Sequence, residues 1–166
     1  MSLLIFSDVH GNKKRLMNII NRHQDVDTVI NLGDLELPLS LIKHPHVISI
    51  KGNAYKDQGH DDYLFHYGDL TLFCTHGHRY RVHDSIQNLY YKALETASNI
   101  VLYGHTHIAS IDEHEGKLFV NPGSINRSRN HETETYLILK KHDTSFIFSF
   151  YSAHHYALVY EYRYSM

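Results

Sequence analysis

Five short apolar runs in this chain end the same way, in a glycine set beside residues able to hold a metal ion: "LLIFSDVHG", "TVINLGDL", "HVISIKGNA", "LTLFCTHGH" and "NIVLYGHTH". Runs this short, rich in Ile, Val, Leu and Phe and closed by turn residues, read as buried strands rather than helices. In doubly wound sheets, ligands bind outside the carboxyl ends of the strands. The repeated ending therefore constrains the chain to an α/β layered fold with its chemistry gathered on one rim.

The segments between the strands agree. "GNKKRLMNIINRH" carries Leu16, Met17, Ile19 and Ile20 on helical spacing, and "LPLSLIKH" is a shorter helical stretch. Strand, helix, strand, short helix, strand predicts right-handed crossovers in a largely parallel sheet with helices on its outer face. "YLFHYGDLTLFCTHGH" predicts a hairpin turning at Gly68-Asp69, and "SIQNLYYKALETAS" a helix of about fourteen residues capped by Asp84 or Ser85. From Ile108 onward helical periodicity disappears. "ASIDEHEGKLFVNPGS", "TYLILKKHDTSFIFSFYS" and "YALVYEYRY" read as strands with turns at Glu115-Gly116 and Asp143-Thr144, expected to form a second sheet packed on the first. Phe146, Phe148 and Phe150, alternating with Ile147, Ser149 and Tyr151, are assigned to its core, and the aromatic tail is a candidate contact in a homo-oligomer.

A length of 166 residues is expected to fold as a single domain, residues 1–166. With 16 Lys plus Arg against 18 Asp plus Glu, the chain lacks the basic excess that a long nucleic-acid partner requires. A small phosphate ligand stays open. The single cysteine, Cys74, sits among apolar residues, which rules out an intrachain disulfide and favours a reducing compartment. "MSLLIFSDVHG" has too short an apolar run for a secretion signal, and no run approaches a membrane span, so the expectation is a cytoplasmic protein without a membrane partner.

The strand ends specify the chemistry. Asp8 and His10, two residues apart in a segment read as extended, point to one side and can chelate one ion. Asp34 can bridge, Asn53 can offer its amide oxygen, and His76, His105 and His107 can complete two coordination shells. Carboxylate and imidazole without thiolate suit Mn²⁺ best, with Fe, Zn²⁺ or Ni²⁺ as the other candidates, and disfavour an all-oxygen Ca²⁺ cage. In a chain with 16 histidines no single pair is informative. The ordered set D-x-H, G-D, G-N, H-G-H, G-H-T-H, each after an apolar run, is.

On that set the chain resembles the calcineurin-like metallophosphoesterase superfamily, and within it the small YfcE/MJ0936-type phosphodiesterases; the likeness runs from Asp8 to Arg129. It implies a two-sheet β-sandwich flanked by helices, a four-layer αββα arrangement. It also implies one metal held by Asp8, His10, Asp34 and His107 and a second by Asp34, Asn53, His76 and His105, with a hydroxide bridging the ions to attack a small, nucleotide-like phosphate ester. Wider relatives carry Gly-Asn-His-Glu, whose histidine assists the leaving group, whereas this chain reads "GNAYKD", with Ala54 and Tyr55 in those places. Loss of a general acid removes about 10² to 10⁴ in rate for poor leaving groups, so either activated esters or an alternative proton donor such as His78 is expected. Asn53, His78 in "THGHRY" and Arg129 in "NPGSINRSR" are the candidates for contacting substrate; where relatives have Pro-Arg, Ser128 precedes Arg129 here. Asn121, Pro122 and Gly123 are expected to build a tight turn under the site. The competing readings are a phosphomonoesterase, including a protein phosphatase, and an interaction scaffold like the retromer subunit similar to this family.

Overall fold

The computed structural model describes residues 1–129 and 133–165. Strands β1 (Ser2–Phe6), β2 (Thr28–Asn31) and β3 (Val47–Ser49) pair in parallel, Leu3 opposite Thr28 and Val29 opposite Val47. Helix α1 (Lys13–Arg22) makes the first crossover. The side chain of Asn12 accepts a hydrogen bond from the Arg15 amide at its start, Arg22 lies in its last turn, and Leu16, Ile19 and Ile20 form its buried stripe. A 3-10 turn at Leu39–Leu41 replaces a second helix before β3.

Strands β4 (Asp62–Tyr67) and β5 (Leu70–Thr75) form the expected hairpin at Gly68-Asp69. Helix α2 (Gln87–Glu95) is shorter than its sequence suggests. Asp84 is drawn away from capping by Arg81, whose guanidinium lies 2.7 Å from its carboxylate, and Ile86 takes the cap position. Ser85 still accepts the Gln87 amide at 3.3 Å. At the other end Ala97 turns left-handed (φ 50), and the amides of Ala97 and Ser98 return to the carbonyls of Leu94 and Ala93, the pairing of a Schellman stop.

After α2 come β6 (Ile100–Leu102), β7 (Ala109–His114), β8 (Lys117–Pro122), β9 (Thr135–His142), β10 (Ser145–Ser152) and β11 (Leu158–Ser165). They do not make a sheet of their own. The strand orders are β11-β10-β9-β1-β2-β3 and β4-β5-β6-β8-β7. Of these strands β6, β7 and β8 enter the second sheet, while β9 pairs antiparallel with β1, Leu3 opposite Leu139, and carries β10 and β11 outward. The reason lies in β1. Its residues Leu3 to Phe6 are fully buried, and a buried strand cannot leave one backbone edge unpaired. The first sheet is thus parallel at its β1-β2-β3 end and antiparallel beyond β1, and the second has a parallel centre, β5-β6-β8, with an antiparallel strand at each edge.

Three apolar layers hold the sandwich. Leu4, Phe6, Val29, Tyr136 and Ile138 pack under α1; Phe73, Val101, Tyr103 and Phe119 pack under α2 with Leu89 and Ala93. Between the sheets Leu3, Ile5, Leu102, Leu137, Phe146, Phe148 and Phe150 form one continuous core that also contains Cys74. Burial pushes the Cys74 thiol up to about 12, as befits a core residue. The layer order is helix, sheet, sheet, helix. Among the described residues no helix is long and apolar enough to cross a membrane.

Candidate metal centre

The loops that follow β1, β2, β3, β5, β6 and β8 meet at one end of the sandwich. The amides of Asp8, His10 and Gly11 donate to the carbonyls of Gly33, Asp34 and Leu35, and the Gly104 amide donates to His76. These contacts bend the backbone. Asp8, His10, Asp34, His105 and His107 all have positive φ, between 44 and 69 degrees, so the expectation of an extended Asp8–His10 segment is corrected. The two side chains converge through a left-handed turn, a conformation that Asp and His tolerate better than most residues. Two glycines serve space: a Cβ on Gly52 would stand 1.9 Å from Asp34 Oδ1, and one on Gly104 would stand 2.0 Å from Ser7 Oγ.

Three imidazoles are oriented alike. His10 donates from Nδ1 to Glu36 (2.9 Å), His76 to the Leu32 carbonyl (2.7 Å) and His107 to the Arg127 carbonyl (2.6 Å), so each turns Nε2 inward. There His107 Nε2 lies 3.2 Å from both His10 Nε2 and Asp8 Oδ1. Asp34 Oδ2 stands 3.9 Å from His10 Nε2 and 3.5 Å from His76 Nε2, and its other oxygen accepts the Ala54 amide at 2.8 Å. Asn53 Oδ1 is 3.2 Å from His76 Nε2. Donor atoms gather in two groups, Asp8, His10 and His107, and Asp8, Asp34 and His76.

This donor set fits divalent cations. Asp8 Oδ1 is buried without a hydrogen-bond partner among the described residues although the Nε2 atoms of His10, His76 and His107 lie within 3.9 Å, and a buried lone carboxylate oxygen is costly unless a cation compensates it. Burial alone would raise the Asp8 carboxyl, but contact with His107 and the charge of His76 outweigh it and hold it below the ordinary value. Asp34 is likewise held down, burial being outweighed by His76. His76 and His107 are raised despite burial by their carboxylates.

The remaining expected residues fall as follows. His105 lines the same cleft as His10, Asp34, Asn53 and His107, its amide donating to Asp8 Oδ2 (3.0 Å) and its ring 5.0 Å from that of His76. Burial and its neighbours His76 and His83 push it down to about 4, which leaves it an unprotonated base. It stands outside both donor groups. His78 is half-buried with its ring 5.4 Å from His76 and an unpartnered Nδ1; burial and the charges of His76 and Arg79 lower its pKa. Arg129 lines the cleft, its amide bonded to the His107 carbonyl at 3.3 Å. Asn121 is fully buried and donates to Gly104 O and Thr106 Oγ1, both at 3.0 Å, holding the His105–His107 loop from beneath; it and Pro122 end strand β8, so the expected tight turn begins only at Gly123 (φ 78). Tyr55 is 87% exposed.

Four contributors carry no sequence signal. Glu36 orients His10. Asp57 gathers three amides, those of Leu35 (3.1 Å), Glu36 (3.3 Å) and Gly52 (2.8 Å), and so ties the Asp34 loop to the Asn53 loop. Arg127 lines the cleft, and His83 packs against His105 at 4.6 Å between ring centroids. A carboxylate facing backbone amides, or an arginine in a loop, looks ordinary in sequence.

Known proteins are similar to this chain in sequence and fold. A family model described as calcineurin-like phosphoesterase superfamily domain matches residues 1–144. The chain is 38% identical over 144 residues to "Probable metallophosphoesterase YsnB" of Bacillus subtilis, spanning 84% of this chain and 83% of that protein. It is 31% identical over 146 residues to "Phosphodiesterase MJ0936" of Methanocaldococcus jannaschii, spanning 74% and 83%. A Streptococcus pneumoniae structure described as a predicted phosphoesterase matches with a TM-score of 0.86 at 30% identity over 99% of this chain and 97% of that one. Vps29 of Entamoeba histolytica complexed with zinc matches with a TM-score of 0.79 at 21% identity over 99% of each chain, a likeness of fold alone.

Proposed function

Because the chain belongs to the calcineurin-like phosphoesterase superfamily, we propose that it is a phosphodiesterase that cleaves a small, activated or nucleotide-like ester at two divalent ions, Mn²⁺ by preference. The observation that carries this reading is the unpartnered Asp8 Oδ1 amid inward-facing Nε2 atoms. Asp8, His10, Asp34 and His107 would hold one ion, and Asp34, Asn53, His76 and His105 the other. Asp34 Oδ2, in reach of one imidazole from each set, supports its role as the bridge. When bound, such ions lower the pKa of water and withdraw charge from phosphoryl oxygens.

Hydrolysis forms a bond from a water oxygen to phosphorus and breaks the ester P–O bond, the leaving oxygen departing with the bonding pair as an anion and the water's proton passing to solvent. Ala54 has no side-chain proton to give, and its amide already serves Asp34. His78, with its lowered pKa, suits a neutral N–H donor to a phosphoryl oxygen better than a proton source. Arg129 is assigned to the same phosphate. Both points favour esters whose leaving group needs no protonation. Cys74 as the sole thiol fits a cytoplasmic setting, and the half-exposed Leu158, Val159 and Tyr160 on edge strand β11 support a contact between two copies, which light scattering would register as a dimer mass.

Mn²⁺-loaded protein is expected to hydrolyse bis-p-nitrophenyl phosphate faster than p-nitrophenyl phosphate, with chelator abolishing both rates. The reverse preference would favour a phosphomonoesterase. Absence of metal-dependent turnover would leave the Vps29-like scaffold reading. Asp34→Asn should lower metal content and turnover together, the latter about 10³-fold, since bound cations contribute several kcal/mol to such transition states. A fully active, fully loaded Asp34→Asn protein would sink the bridged two-metal assignment.

A further inference from the structure

The loop after β8 is fastened tightly to the metal centre through its backbone, while two of its side chains are left unbound among the described residues. Ser124 Oγ donates to the Asp8 carbonyl (2.7 Å) and accepts the amides of Asn126 (3.1 Å) and Arg127 (2.8 Å). Asn126 is held by Asn12 at 2.8 Å. The carbonyl of Arg127 receives His107 Nδ1 at 2.6 Å, and the amide of Arg129 donates to the His107 carbonyl at 3.3 Å. Residues 124–129 are thereby set in position relative to Asp8 and His107.

The guanidinium groups of Arg127 and Arg129 have no hydrogen bond or ion pair among the described residues. Elsewhere Arg15 is bonded to the Ile125 carbonyl, and Arg79 and Arg81 are paired with Asp61, Asp62 and Asp84. Both arginines line a cleft of about 370 Å³ that also holds His10, Asp34, Asn53 and His107, and among the described residues Asp34 is its one acidic lining residue. That volume lies at the small end of ligand pockets. Two guanidiniums on a fixed loop, uncompensated among the described residues, exceed what one diester phosphate, with a single negative charge, can neutralise. Guanidinium forks match phosphate oxygens two at a time.

We propose that Arg127, beside Arg129 on the cleaved phosphate, forms a second anion subsite that selects esters carrying a second phosphate besides the one cleaved. This rests on the phosphodiesterase reading for the identity of the first phosphate, but its test is a binding measurement. Arg127 is exposed, and its fold-holding contacts are backbone ones, so Arg127→Gln should fold and keep its metal.

The experiment is calorimetric titration of the Mn²⁺-loaded protein with adenosine 3′,5′-bisphosphate and with adenosine 5′-monophosphate, with metal content measured on the same samples. The bisphosphate should bind about tenfold or more tightly than the monophosphate in the unaltered protein, as expected for an added charge-assisted pair. In Arg127→Gln that advantage should shrink to within about twofold while monophosphate binding changes little. Equal binding of the two nucleotides by the unaltered protein would overturn the subsite, as would an Arg127→Gln loss falling equally on both, which would place Arg127 on the cleaved phosphate. Diester turnover without bisphosphate preference would sink the subsite and leave the phosphodiesterase; a preference abolished by Arg127→Gln without turnover would do the opposite.

Discussion

Ile5 and Asp8 are three residues apart in sequence and are both fully buried, yet they are buried for different reasons. Ile5 lies between the sheets, paired on both edges in regular strand geometry and surrounded by Leu, Ile and Phe. Asp8 lies on the rim in a left-handed backbone, surrounded by His10, His76 and His107, with an oxygen that no hydrogen bond satisfies. Ile5 lowers the free energy of the fold, since burying such a side chain contributes about 1.5 to 3 kcal/mol. The strained positions on the rim each cost on the order of 1 kcal/mol or more. The interior therefore supplies the stability that lets the rim hold an arrangement no isolated loop would keep.

The first way to break this contrast is to damage the interior alone. Phe148 is fully buried in the layer between the sheets, and Phe148→Ala should lose about 3 to 5 kcal/mol of stability, read as a shift in denaturation midpoint. Molecules that remain folded should still bind metal in the original stoichiometry. Loss of metal from well-folded Phe148→Ala protein would mean that the two regions are not separable in this way.

The same contrast explains what sequence could and could not disclose. The strand ends were legible because ligand residues and glycines follow apolar runs in an order that does not depend on which strands become neighbours. The alternation of Phe146, Phe148 and Phe150 likewise survives any sheet assignment, and these side chains do face the inter-sheet core. Which sheet receives β9 is different. Its sequence, "TYLILKKH", suits either sheet, and the outcome follows from the open edge of fully buried β1. The start of α2 turned on a competing ion pair between Asp84 and Arg81. Around the site, the left-handed turns at Asp8 and His10 and the hold of Asp57 on three distant amides arise only when the loops meet.

A second test leaves the interior intact and loosens the rim. Asp57 touches no proposed metal ligand through its side chain, but its carboxylate draws the amides of Leu35, Glu36 and Gly52 together. Asp57→Ala should weaken Mn²⁺ binding about 10- to 100-fold, the scale seen when groups supporting metal ligands are removed. Asp57→Asn, which retains an acceptor oxygen, should recover much of the affinity. Unchanged Mn²⁺ titrations for Asp57→Ala would show that the loops are positioned by their backbone contacts alone.

The smallest expected effect is a pH dependence confined to the rim of the metal-free protein. Asp8 and Asp34 are held below the ordinary 3.8, chiefly by His107 and His76 acting against burial. Their contribution is present above 3.8 and fades as pH falls through their lower folded values. His76 and His107 are raised above 6.5 by those carboxylates, so their contribution is complete below 6.5 and fades as pH rises through the folded values. Chelator-treated protein should therefore melt highest between about pH 4 and 6.5 and lose a few degrees on the alkaline side. Mn²⁺ should reverse that alkaline loss, because deprotonated Nε2 atoms are what a cation requires. In Asp8→Asn, the imidazole of His107 loses its main acidic partner, and the alkaline fall should flatten while the melting of the sandwich itself stays cooperative. A fall that persists unchanged in Asp8→Asn would assign it to groups outside the rim, and the division between a pH-indifferent interior and a titrating rim would have to be redrawn.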